Sequence, residues 1–495
     1  MKMKIFLGNS PWSKKGYYGV RAGSRWPHFE EEHLEYVPFP FFLAYAAAVL
    51  EEAGFDVLLV DAIAEKIDQD EFVGRIERFA PDLTVLEVST ISIEDDLALG
   101  RRLRKLMGSD GKIAFCGLHQ FMYEPGFMRE HSFLDYVLMG EYEMTLLDLA
   151  KRLAAGRSTE GTLGLLHRQN GDILVENRRP PIEDLDSLPW PARHFLPMHD
   201  YHDEPGNIPR PSVQMWASRG CPFGCVFCAW PQIMYGESRY RPRDVVDTVD
   251  EMEWLVREMG FKSVYFDDDT FNVGKKRVMR IASEIKSRKL RVPWAVMARA
   301  DIMDREMLEA LVEAGLHSIK YGVESAHQPV LDGSGKSLDL EKVRRTVKIT
   351  QELGVKMHLT FMFGLPGETR ETARKTMDLA LELAPESLQF TISTPFPGSK
   401  YYLMLEREGR ILTKDWSRYD GFRSSVIRTE ALSAGDLEDI AKEANDLWNT
   451  FWWNRKHPDN RTTIEKIRDL IKNPTRIPES VSNAVRGGLK AGGRS

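Results

Sequence analysis

Arg219-Gly220-Cys221-Pro222-Phe223-Gly224-Cys225-Val226-Phe227-Cys228 places three thiols within eight residues, at the spacing Cys-x3-Cys-x2-Cys. Three thiolates can hold three corners of a [4Fe–4S] cluster and leave the fourth iron open to a chelating substrate or cofactor; four cysteine ligands would close the cluster and suit it to electron transfer. The remaining cysteine, Cys116, lies far upstream at the end of an apolar run, where it reads as a small buried hydrophobe. A zinc knuckle is one rival; it needs a second cysteine pair or a histidine at short spacing, and His199 and His202 are the candidates. A redox dithiol is another, and it needs only two cysteines. The three-cysteine spacing favours the cluster.

Around this loop, short apolar runs alternate with helical stretches. Strands are expected near 213–217, 263–266, 294–298, 318–321, 358–363 and 387–392. Six such units fit a partial (β/α)6 barrel, in which chemistry gathers at the carboxyl ends of the strands. Those ends carry Asp267-Asp268-Asp269-Thr270-Phe271, Arg299, Glu324-Ser325, the run Phe361-Met362-Phe363-Gly364-Leu365-Pro366-Gly367-Glu368-Thr369, and Thr394-Pro395-Phe396-Pro397-Gly398-Ser399. Three adjacent carboxylates repel one another and favour a nearby cation or hydrogen-bond donors. The competing explanations are an acidic helix N-terminus for one of them and surface ion pairing for Arg299 and Glu324.

The stretch from Arg219 to Cys228 resembles the signature loop of radical S-adenosylmethionine (SAM) enzymes. The resemblance implies that Cys221, Cys225 and Cys228 hold a [4Fe–4S] cluster, that the open iron chelates SAM, and that an electron from the cluster yields a 5′-deoxyadenosyl radical. It also implies that Asp268 of the acidic run takes the SAM ammonium, Arg299 the carboxylate, and Glu324 or Ser325 the ribose hydroxyls. Phe361, Gly364 and Thr394 would support adenine. Phe223 and Phe227 would limit water and oxygen at the cluster, or simply pack a core.

Upstream, residues 4–150 alternate in the manner of a doubly wound α/β domain, with strands near 4–8, 57–60, 83–88, 113–116 and 135–139. In such sheets ligands bind outside the carboxyl ends of the strands. A Rossmann-like domain in this position resembles the cobalamin-binding domain of cobalamin-dependent radical SAM enzymes. The matching pieces are Pro38-Phe39-Pro40, Ser89-Thr90, Cys116-Gly117-Leu118-His119, Gly140-Glu141-Tyr142-Glu143 and the run from Tyr18 to Pro27. Cobalamin contacts are accordingly expected at Asn9, Ser89, Thr90, Gly117, His119, Gly140 and Glu141. The Asp-x-His-x-x-Gly motif that supplies a histidine to cobalt is absent from residues 1–150, which argues against histidine ligation more than against cobalamin.

The resemblance implies a methyltransferase acting on an unactivated carbon through the adenosyl radical and methylcobalamin. Cyclisation or rearrangement without net methyl transfer is the alternative that keeps both cofactors; a noncatalytic iron–sulfur sensor or scaffold is the alternative from another class. A methylthiotransferase is disfavoured, because residues 1–150 hold one cysteine where a second cluster would want three.

At 495 residues the chain exceeds the about 250 to 300 at which single cores stop growing. The expected division is a cobalamin-type domain at 1–150, a linker with a hairpin at Asn170-Gly171 over 151–207, the barrel at 208–410, and a helical segment at 411–495. Trp448, Phe451, Trp452 and Trp453 could wall an apolar cavity or build a core. The basic tail beyond them could touch an anionic membrane or stay solvated. A net charge of −7 gives no reason to expect nucleic acid. Polar Gly8-Asn9-Ser10 comes too early for a signal peptide, and no apolar run approaches the ~20 residues of a membrane span. Sparse cysteines suit the cytoplasm. The expected partners are a small-molecule or lipid-like substrate and an electron donor such as flavodoxin or ferredoxin.

Overall fold

The computed structural model describes residues 2–18, 28–29 and 36–456. Most of the Tyr18–Pro27 run and most of the basic tail lie outside the described residues. A mixed sheet and a parallel one organise the rest.

The first sheet contains β1 (Lys4–Asn9), β2 (Asp56–Asp61), β3 (Leu83–Val88), β4 (Lys112–Gly117), β5 (Tyr136–Leu138), β6 (Leu165–Gln169) and β7 (Asp172–Val175), in the order β2-β1-β3-β4-β5-β6-β7. Its first five strands are parallel. They read as apolar runs because both faces are covered; every residue of β3 is buried. Helix α1 (Phe41–Glu52) is buried from Phe41 to Leu50, so apolar residues surround it instead of forming a stripe. The hairpin expected in the linker proves to be part of this sheet. Asn170 and Gly171 take φ of 50° and 91°, the left-handed pair a two-residue turn requires, and β6 pairs antiparallel with β5, burying Leu165 and Leu166.

The second sheet runs in chain order: β8 (Ser212–Met215), β9 (Ser263–Phe266), β10 (Trp294–Ala298), β11 (Leu316–Glu324), β12 (Lys356–Phe363) and β13 (Ser387–Ile392), all parallel. Four of the helices between strands start where a side chain satisfies free backbone N–H groups: Asp244, Asp304, Asp339 and Thr369 each cap one. Alternation along β11 and β12 aims Lys320, Gly322, Glu324, His358, Thr360 and Met362 at one interior cavity. The barrel centre is therefore an open cavity whose largely apolar wall carries a few charged and polar side chains.

Aromatic side chains join the two sheets. Phe41 of α1 stacks on Trp216 with centroids 4.0 Å apart, and Phe42 reaches both Trp216 and Trp230. A second compact unit begins at Asn445; within it Trp448 stacks on Phe451 at 5.5 Å and meets Trp452 edge-on at 5.6 Å. Among the described residues no helix is long and apolar enough to cross a membrane.

Candidate functional site

A cavity of about 300 Å³ opens at the carboxyl ends of the second sheet, and Cys221, Cys225 and Cys228 all line it. The loop that carries them is shaped by its surroundings. Gly220 has φ of 82°, and a Cβ there would stand 2.0 Å from the Arg239 carbonyl, so only glycine fits. Val226 N donates to Ser334 O at 2.8 Å. Gln232 donates through Nε2 to the carbonyls of Cys225 (3.1 Å), Val226 (3.1 Å) and Cys228 (2.7 Å). Burial raises the Cys221 and Cys225 thiols; Lys336 and Arg299 oppose this at Cys225. Among the described residues no three His, Cys, Asp or Glu side chains converge on a single ion. A cubane asks for something different, one thiolate per iron. Three thiols on one cavity wall fit that demand.

The other strand ends add a polar ring. Arg299 lies over Phe223 of the cysteine loop, 3.8 Å from the ring centroid, and is held by Asp301 (2.8 Å) and the Lys336 carbonyl (2.8 Å). Glu324 has φ of 70°, at a register shift in β11, and accepts from Lys336 Nζ at 2.9 Å. A left-handed glutamate at a strand end stores local strain of the kind found at ligand sites. Thr394 also lines the cavity. Two further lining groups, Ser393 Oγ and Trp230 Nε1, are buried without a hydrogen-bond partner among the described residues. Buried polar atoms are ordinarily satisfied, so these two suit a bound ligand.

Several expected residues stand elsewhere. Asp268 is fully buried beneath the loop, accepting from Ala217 N (3.1 Å) and Ser218 Oγ; burial pushes its pKa up to about 7. Its neighbours Asp267 and Asp269 face the cavity instead, as alternation along extended backbone requires. Asp269 accepts from Gly220 N (2.8 Å) and Tyr235 Oη (3.1 Å). Ser325 turns inward beside Thr376. Phe361 packs on Phe390 behind the wall while Met362 lines it, and Gly364 N is taken by Glu368.

The polar groups at the carboxyl edge of the first sheet bond mainly to one another. Asn9 donates to Asp61 (2.8 Å), which also accepts from Tyr201 Oη (3.0 Å). Ser89 meets Ser92, and Ser92 and Ser10 both donate to Asp96. Gly117 O accepts from Tyr123 Oη, which in turn accepts from Gly140 N. His119 packs among Phe121, Phe127 and Trp416, with Thr90 Oγ1 3.4 Å away; burial pushes its pKa down to about 3 and keeps the ring neutral. Leu118, between Gly117 and His119, reaches the cavity wall. Glu141 faces Arg219 and Arg241, so it joins the two sheets and does not stand free at the edge.

Asp269 and Leu118 stood in the sequence only as members of longer runs, and Gln232, Trp230 and Ser393 were not singled out. Gln232 carried a weak signal, as a lone polar residue in Ala229-Trp230-Pro231-Gln232-Ile233-Met234.

Residues 217–380 match the radical SAM superfamily and residues 32–150 the B12 binding domain. The chain is 32% identical to an uncharacterized methyltransferase, PH0819, of Pyrococcus horikoshii, over 82% of this chain and 86% of that protein. It is 28% identical to the anaerobic magnesium-protoporphyrin IX monomethyl ester cyclase of Rubrivivax gelatinosus, over 85% and 73% of the two chains. Its fold resembles that of TsrM from Kitasatospora setae, a radical SAM methyltransferase solved with cobalamin and a [4Fe–4S] cluster, at TM-score 0.63 and 20% identity over 82% and 78% of the two chains.

Proposed function

We propose, from the premise that the chain belongs to the cobalamin-dependent radical SAM enzymes, that it is a methyltransferase acting on an unactivated carbon of a small molecule. One observation carries the reading: the three cysteines, the polar ring of the barrel and Leu118 of the first sheet's edge all line one cavity. A radical generated at the loop and a methyl group carried at that edge would meet the same substrate. When bound, the cluster supplies the electron that cleaves SAM and cobalamin carries the methyl group.

The residues divide the remaining work. Cys221, Cys225 and Cys228 hold the cluster. Arg299, pre-oriented by Asp301, pairs with the SAM carboxylate, and Asp269 takes the ammonium in place of Asp268. Glu324 faces the ribose hydroxyls; Ser393 and Thr394 give hydrogen bonds to adenine. Phe361 and Gly364 shape the wall from behind. Phe223 and Phe227 exclude water. At the first sheet, Asn9, Ser89, Thr90, Gly117, His119 and Gly140 form a firm edge against which the corrin rests. Holding substrate, adenosyl carbon and methyl carrier in one cavity supplies most of the rate.

Anaerobic reconstitution, metal and corrin quantification, and mass spectrometry of the products test the reading. Iron and cobalt in the protein, SAM cleavage, and a product heavier by ~14 Da are expected. The cyclase relative favours a second reading, ring closure without methyl transfer, which gives SAM cleavage but no such mass gain. Zinc in place of iron, or no SAM cleavage, would overturn both.

A further inference from the structure

Arg219 stands two positions before Cys221, and groups from the first sheet and α1 hold it. Its Nη1 donates to Glu141 Oε1 at 3.1 Å and to Glu143 Oε1 at 2.7 Å. Its guanidinium lies 5.2 Å from the Phe42 ring and 4.6 Å from that of Tyr45, both on α1, and 5.1 Å from Trp216. From the other side Arg241 donates to both oxygens of Glu141, at 2.7 and 2.9 Å. The side chains of Arg219, Arg241, Glu141 and Glu143 are at most 2% exposed. Two guanidiniums thus face two carboxylates.

Such a cluster is a weak source of stability, because desolvation offsets the attraction and apolar packing would serve as well. Phe41, Phe42 and Trp216 already provide that packing. What ion pairs add is direction: the bidentate Arg241 fixes the plane of the Glu141 carboxylate, and Arg219, bridging Glu141 and Glu143 through Nη1, is held at a set angle where a stacked ring can slide. The same segment also meets the far side of the cysteine loop. Glu141 N donates to Met234 O at 3.1 Å, and a Cβ at Gly140 would stand 2.7 Å from that oxygen. Residues 140–143, at the carboxyl end of β5, thus touch the chain just before Cys221 and shortly after Cys228.

We infer that Glu141 is a positioning residue which, through Arg219, sets where the cluster loop stands relative to the cobalamin edge of the first sheet. The inference rests on the function proposed above, and it assigns Glu141 to the geometry between the cofactors instead of to contact with either.

The test uses full-length Glu141→Gln, which keeps the shape of the side chain and removes its charge, in protein loaded with both cofactors. Electron paramagnetic resonance of the reduced protein reads the magnetic coupling between cob(II)alamin and the reduced cluster, which depends steeply on their separation. Parent-like iron and cobalt contents with a shifted coupling are expected. Transfer of the SAM methyl group to cob(I)alamin, giving S-adenosylhomocysteine, is expected to slow about a hundredfold, the cost of a misplacement near 1 Å. Cleavage of SAM to 5′-deoxyadenosine, which needs the cluster and an added one-electron reductant but not cobalamin, should stay near the parent rate. Should Glu141→Gln not fold, Glu141→Asp keeps the charge, shortens the reach and is read for the same coupling. Unchanged coupling in a folded, loaded variant overturns the inference, as does parallel loss of both rates together with the cofactors. A parent protein that takes up no cobalt fails the proposed function and this inference with it; a loaded parent with indifferent variants fails the inference alone.

Discussion

The carboxyl edges of the two sheets are lined with polar residues of similar type, yet they spend their hydrogen bonds differently. At the first sheet, Asn9, Asp61, Ser10, Ser92 and Asp96 satisfy one another. At the barrel, Ser393 and Trp230 line the cavity and carry buried polar atoms without a partner among the described residues, and Arg299 and Glu324 line it as well. An edge that is already satisfied offers a large ligand shape and backbone; an unsatisfied one offers side-chain bonds to a small ligand.

Substitution of the thiols tests this contrast most severely. Cys221→Ala, Cys225→Ala and Cys228→Ala should each lose cluster iron and bring 5′-deoxyadenosine formation to background, whereas Cys116→Ala, fully buried in the first sheet, should keep both. Equal loss at Cys116 would break the distinction between the two edges.

A pH titration of stability comes next. Burial pushes the Asp96 carboxyl up to about 7, with Ser10 and Ser92 opposing the shift. Between the ordinary carboxylate range and pH 7 the folded chain then holds a proton that the unfolded chain has released. Stability therefore falls as pH climbs from about 4 to about 7 and levels off above, a change of a few kcal/mol. Asp268, raised by burial to about 7 as well, adds a contribution of the same sign, so Asp96→Asn should reduce the slope of that part of the melting-temperature profile without abolishing it, and without altering SAM affinity.

Arg299→Ala should weaken SAM binding by about 2 kcal/mol, some thirtyfold, as read by calorimetry on reconstituted protein. Asn9→Ala should leave that affinity unchanged. The smallest effect is expected at Ser393→Ala, about 1 kcal/mol or roughly fivefold in the same measurement. No effect at Ser393 would mean that its unpaired hydroxyl is a packing residue.

Strand positions were legible because apolar runs between turn signals are the strongest pattern in the chain; 83–88, 263–266, 294–298 and 387–392 coincide with β3, β9, β10 and β13. Position at a strand end was legible too, and it brought Arg299, Glu324 and Thr394 to the cavity. Phase was not. Whether Asp268 or Asp269, Phe361 or Met362 faces inward depends on one residue of register, and an apolar or acidic run carries no mark of it. Contacts between distant segments left still less trace: the run Gly140-Glu141-Tyr142-Glu143 carries no sign that Glu141 meets Arg219, 78 positions away.

Gln232 gathers three carbonyl oxygens of the cysteine loop with a single amide. Hydrogen bonds of the polypeptide thus hold the loop's backbone from within. A chain stripped of its metal by a chelator is expected to keep its fold and to take up iron and sulfide again, so that this centre could be rebuilt in place after damage.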